Sequence, residues 1–240
     1  MIKLFGNTAK ARIPARSTLP NLDDSLYPFL WQSITGQGCD NIDFESPQAL
    51  LLAIINTESS PNKQEFCQHL QANDVYQEWI NATVFGRYIQ RNFAAFYCQN
   101  EDSFNVDIPE LFRHELKRYG QYLPIGQILF IAGQIPESAR REKLFTTTIN
   151  PATAMIAAQK INQDAIKKGR LNPQVLIMDQ IKVIGRQVLG FPIRHNKRTS
   201  ERTRNEVLIL DFSDLRLVDE QSIERSNTDS SLLLRFYELR

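Results

Sequence analysis

Leu129-Phe130-Ile131-Ala132-Gly133-Gln134-Ile135-Pro136, then after a short polar run Phe145-Thr146-Thr147-Thr148-Ile149-Asn150-Pro151-Ala152, is the stretch on which the fold turns. Its first half belongs to a compact apolar run, residues 125–131, bounded by Pro124, Gly126 and Gly133. The length, flanks and β-branched and aromatic members of that run favour a strand. Residues 145–149 are strand-like for the same reason. Asn150-Pro151 then opens a helix, so the alanine-rich segment 152–166 is expected to be helical. Further along, Glu206-Val207-Leu208-Ile209-Leu210 opens residues 206–212, the clearest strand in the chain.

Around that stretch the rest of the second half also reads as β. Residues 175–184 form a strand or a bent pair of strands, and residues 215–218 and 231–239 close the chain as strands. The first half reads as helical. Ser46-Pro47 and Ser60-Pro61 are helix starts, and residues 75–97 are expected as the longest helix. There Trp79, Phe85, Tyr88, Ile89, Phe93 and Phe96 form an aromatic stripe at helical spacing, read as core packing. Asp107-Ile108-Pro109 caps a further helix, residues 110–119. Residues 1–24, rich in proline and polar groups, read as an extended arm without a core of its own. The order is α then β, which argues for an α+β fold rather than a parallel βαβ wind. The expected division is a helical N-terminal region, 1–105, and a β-rich domain, 106–240.

Bulk properties narrow the function. With 240 residues and 42% hydrophobic content the chain can bury a core. Twenty-eight basic residues against 27 acidic ones give a net charge of +1, so no global field favours nucleic acid or a membrane surface. No run of about eighteen apolar residues offers a membrane span. Met1-Ile2-Lys3-Leu4-Phe5 passes at once into polar sequence, so no cleavable signal peptide is read. The expected location on these grounds is the cytoplasm. Cys39, Cys67 and Cys98 are odd in number and lack CxxC spacing, as free thiols do. His69, His114 and His195 lie in three separate segments, so no metal site is expected. Walker A, GxGxxG and nucleophile-elbow patterns are absent from the sequence.

The strand ending in a small-residue turn, the Phe-Thr-Thr-Thr strand feeding an alanine-rich helix, and the basic loop running into Glu-Val-Leu-Ile-Leu together resemble the ADP-ribosyltransferase superfamily. The similarity is to its bacterial toxin branch, which carries an arginine, a Ser-Thr-Ser motif and a final glutamate, and it spans about residues 110–240. It implies a split β-sandwich holding NAD in its cleft, with a protein side chain as acceptor, the activity of a virulence effector that is injected into a host or target cell. On that resemblance the catalytic residues are Glu206 and Thr147, the threonine propping the glutamate. The NAD contacts are Phe130, Gly133, Phe145, Thr148, Phe191, Arg194 and Arg198, with Arg204 toward the substrate protein. Three positions depart from the pattern. Ala132 stands where the family has its arginine, Ile149 replaces the last motif hydroxyl, and Arg204 stands where the family has Glu or Gln.

Breaking the nicotinamide–ribose bond passes through a cation resembling an oxocarbenium ion, which a nearby carboxylate stabilises directly. Glu206 is available for that role. The family arginine grips the pyrophosphate bidentately. Arg194, Lys197, Arg198, Arg202 and Arg204, in the loop 190–205, could take it over. Plain alternatives stand beside each reading: an edge-strand glutamate facing water, three threonines placed by strand propensity, and a solvated basic loop. The rival function is a catalytically inactive protein-binding module on the same fold. A nucleic-acid partner, acting through the basic loop, is disfavoured by the near-neutral total charge.

Overall fold

A computed structural model of the chain describes residues 16–22, 63–82, 117, 120–167, 175–193, 205–224 and 231–240. Its centre is an eight-stranded mixed sheet of order β1-β5-β6-β3-β2-β4-β8-β7. In chain order the strands are β1 (Gln121–Tyr122), β2 (Ile128–Ala132), β3 (Phe145–Thr148), β4 (Val175–Val183), β5 (Leu189–Pro192), β6 (Glu206–Asp211), β7 (Leu215–Glu224) and β8 (Ser231–Leu239). The helices are α1 (Lys63–Ala72), α2 (Asp74–Ala82), α3 (Glu137–Glu142) and α4 (Pro151–Lys167). The α+β class expected from the sequence is what the structure has. One hydrogen-bonded ladder runs through all eight strands, whereas a split sandwich divides its strands between two sheets.

The pairing is antiparallel throughout except for β4 and β8, which run parallel over nine residue pairs from Val175↔Ser231 to Val183↔Leu239. β6 shows why the centre of the sheet is secure. Val207, Leu208, Ile209 and Leu210 are all fully buried, so consecutive side chains find cover on both faces. β4 is one continuous strand rather than a bent pair. β2 begins three residues later than the apolar run, because residues 124–127 turn at Gly126, whose φ of 90° lies in the region that favours glycine. β5 overlaps the start of the segment read as a basic loop, where Phe191 pairs with Leu208 of β6.

The segment 152–166 is helical, as its alanines and cap indicate, and it packs on β2, β4 and β3. The polar run between β2 and β3 contains the extra helix α3, whose Ala139 is buried. Of the N-terminal arm, residues 16–22 are extended. Thr18 bridges Tyr122, Leu19 N–H donates to the Tyr122 carbonyl at 2.8 Å, and the Trp79 indole donates to the Pro20 carbonyl at 2.6 Å. The arm thus joins a core it does not build: Leu19, Leu22, Leu70, Tyr76 and Trp79 share one cluster with the sheet. The expected helix at 75–97 is observed as α2 up to Ala82, and its remainder lies outside the described residues, as do the helices expected before residue 63. So does the helix expected at 110–119, apart from Lys117. No helix among the described residues is long and apolar enough to cross a membrane.

Candidate functional site

The three segments that carried the sequence argument are neighbours in the sheet, in the order β6-β3-β2. The register is specific. Thr148 lies opposite Glu206, and Phe130 lies opposite Thr148. Residues directly opposite one another in a ladder share a face, so Glu206, Thr148 and Phe130 form one row. Gln180 of β4, opposite Phe130, and Phe236 of β8, opposite Gln180, continue it.

The end of the row at Glu206 is built by a web of short bonds. The Thr148 hydroxyl donates to the Asn205 carbonyl at 3.3 Å and accepts from the Asn150 N–H at 3.0 Å. Asn205 has a φ of 48°, a left-handed conformation that asparagine tolerates better than most residues. Its carbonyl also accepts the Ile149 N–H at 3.1 Å. The Asn150 side chain caps α4 by accepting from Ala152 N–H at 3.0 Å and Thr153 N–H at 3.3 Å, and its Nδ2 donates to Asn205 Oδ1 at 3.4 Å. Asn205 Nδ2 in turn reaches the buried Cys67 Sγ of α1 at 3.5 Å. The backbone carrying Glu206 is therefore fixed by β3, α4 and α1 together. Glu206 itself is 8% exposed. In such surroundings a carboxylate acts on a nearby cation with less dielectric screening than on the surface.

The hub residue is Asn150. Asn150→Ala removes the cap and the bond to Asn205 while keeping the fold's apolar core, and is expected to lower unfolding free energy by about 2 kcal/mol. A urea titration checks this; a change within a few tenths would mean that the web is not holding the two strand ends together.

The candidate residues do not all face one way. Thr147 pairs with Val207, and its hydroxyl donates to the Val207 carbonyl at 2.9 Å, so its side chain points to the face away from Glu206. Strand alternation reverses the expected assignment: the threonine beside Glu206 is Thr148, while Thr147 stabilises the β3–β6 ladder. Phe145 shares the Thr147 face, pairing with Ile209 and meeting Phe212 edge-on with ring centroids 5.6 Å apart. It is a core residue on the opposite face from Glu206. Phe130 and Phe191 are on the Glu206 face but are buried, Phe130 completely, so they form floor rather than rim. Gly133, with a φ of 74°, makes the turn after β2, and Ala132 sits opposite Met178. Arg194, His195, Arg198 and Arg204 lie outside the described residues.

One constellation escaped the sequence reading. Asp179 and Arg235, paired across the parallel strands β4 and β8, form a two-pronged ion pair with contacts of 2.7 and 2.8 Å. Asp179 has no exposed surface and also accepts the Ile135 N–H at 3.1 Å, tying down the loop between β2 and α3. Burial raises the Asp179 carboxyl above the ordinary range, opposed by the hydrogen bond and charge of Arg235. Desolvation works to lower the Arg235 guanidinium, but the hydrogen bond to Asp179 and the charge of that carboxylate together outweigh it and raise it. The available signal was a charge that directly follows an apolar run in each of two strands, Val175-Leu176-Ile177-Met178-Asp179 and Leu232-Leu233-Leu234-Arg235. Charges so placed are almost never buried without a partner. This pair serves the fold and lies on the face away from Glu206.

Among the described residues no group of three or more His, Cys, Asp or Glu side chains is placed to hold a metal ion. No protein-family model matches the chain, and no curated protein matches it.

Proposed function

We propose that the chain is an NAD-dependent ADP-ribosyltransferase of the toxin-like kind, which transfers ADP-ribose to a side chain of another protein. One observation carries the reading. Segments remote in sequence, each resembling one piece of that family's site, come together as consecutive strands with Phe130, Thr148 and Glu206 in a single row. Glu206 is the carboxylate that stabilises the ribosyl cation as the nicotinamide bond breaks. Thr148, through its hydrogen bonds to the backbone of Asn205 and Asn150, positions the strand end that carries it. A buried acid on a rigid strand end suits that chemistry, because a preorganised charge needs no rearrangement during the reaction. The phosphate grip is assigned to the basic loop, with Arg198 its leading member, since Ala132 offers no donor.

The test is a calorimetric titration of NAD into the purified protein, repeated with Arg198→Ala. Binding in the micromolar to millimolar range is expected, weakened by about tenfold or more when one bidentate phosphate contact is removed. If NAD fails to bind at millimolar concentration, the enzyme reading is lost. Ala132, at the end of β2 where the family has its arginine, favours what then remains, a catalytically inactive protein-binding module on this fold.

A further inference from the structure

The row that begins at Glu206 ends in a pocket. About 360 Å³ in volume, it opens over β2, β4, β8 and β7 and is lined by Ile128, Gln180, Lys182, Val218, Phe236 and Glu238, among others. That volume lies in the range of small-molecule sites, about 300–1,000 Å³. Gln180 is 7% exposed, yet its Oε1 accepts no hydrogen bond. Folded interiors rarely leave a buried carbonyl oxygen unpaired. Here the neighbouring positions in its row are Phe130 and Phe236, which have no polar side-chain group to offer it. The bulge in β7 between Leu217 and Asp219 sets Val218 at the rim, where it is 48% exposed.

The geometry points to this pocket as a binding site for a 6-aminopurine, the base of an adenine nucleoside or nucleotide. A carboxamide presents an acceptor and a donor side by side. That pair matches the exocyclic amine and the ring N7 of adenine, the bidentate recognition that Gln and Asn make in other settings. The apolar walls given by Ile128, Val218 and Phe236 suit a flat ring, and stacking on an aromatic side chain is a general way of holding a base. Lys182, exposed at the mouth, is placed for a phosphate or ribose oxygen. The site is separate from the Glu206 end of the row. Gln180 is three strand spacings away, roughly 14 Å, and Phe130, which has no exposed surface, stands between them. The inference therefore stands whether or not Glu206 catalyses NAD chemistry.

The experiment titrates adenosine, and in parallel inosine, into the full chain and into the Gln180→Leu variant, followed by calorimetry. Removing an unpaired buried amide in favour of an apolar side chain of similar size should leave the fold at least as stable, which thermal unfolding of the variant verifies. Adenosine is expected to bind saturably, with inosine weaker by about tenfold or more because it lacks the amine donor, and Gln180→Leu weaker by a similar factor. Failure of adenosine to bind at millimolar concentration overturns the proposal. So does equal binding by adenosine and inosine, or undiminished binding to Gln180→Leu. The inosine arm uses the unaltered protein, so the result does not depend on how the variant folds.

Discussion

Glu206→Gln is expected to leave NAD binding nearly unchanged and to slow release of nicotinamide from NAD by a hundredfold to a thousandfold, on the order of what one preorganised electrostatic group contributes. The substitution keeps the shape of the side chain and removes only its charge. The backbone leading into Glu206 is held by the web of Thr148, Asn150 and Asn205, so β6 should not move. In the proposed reaction ground-state binding would depend on contacts along the whole dinucleotide, whereas the carboxylate would act on charge that develops only as the bond breaks, so the loss should fall on kcat. Nicotinamide release measured over time, with Thr147→Val and Thr148→Val in parallel, separates the two threonines. The register predicts the larger loss at Thr148, which faces Glu206, and a smaller loss at Thr147, whose hydroxyl serves the ladder. Full turnover by Glu206→Gln would remove this residue from the chemistry.

The second large effect concerns stability. Asp179→Ala should lower unfolding free energy by about 3–5 kcal/mol, because it strands the Arg235 guanidinium inside the sheet with no counter-charge. It also releases the Ile135 N–H, which donates to the same carboxylate at 3.1 Å, so the loop before α3 should lose protection from hydrogen exchange first. The paired replacement Asp179→Leu with Arg235→Met should recover most of the loss, since an apolar pair of similar volume removes two desolvated charges at once. Urea unfolding of the single and double variants checks both statements. A double variant as unstable as Asp179→Ala would mean that the ion pair contributes more than its own desolvation takes away. Tyr237, whose ring lies 5.7 Å from the Arg235 guanidinium carbon, is raised above the ordinary phenol range by burial first and by Asp179 second.

How far these features were legible varies with the kind of signal. Hydrophobic runs and caps are local, and they placed β3, α4, β6 and β8 near their observed bounds. Asn150 was readable as part of a helix start because such starts are decided within three residues of chain. Its second role, bonding Asn205 across 55 positions of sequence, was not. Thr147 and Thr148 show the limit most clearly. A run of three threonines says nothing about which hydroxyl faces Glu206, and a shift of one residue sends every side chain of the strand to the other face. The family resemblance gives Phe145 to the ligand, whereas the register turns it into the core against Phe212. β5 was missed because a strand of four residues inside a segment with many basic neighbours carries too short an apolar pattern to stand out.

The sequence by itself determined the α+β class and the site of the alanine-rich helix, since both rest on side-chain types at short spacing, while the candidacy of Glu206 came from the family resemblance alone. Only the tertiary structure decided that β6, β3 and β2 are neighbours, that Thr148 rather than Thr147 faces Glu206, and that Asp179 meets Arg235. It alone also revealed that Gln180 is left without a partner beside a pocket. The reason is physical. Strand order and register are fixed by which faces can be buried together over long separations in the chain, and no local propensity records that choice.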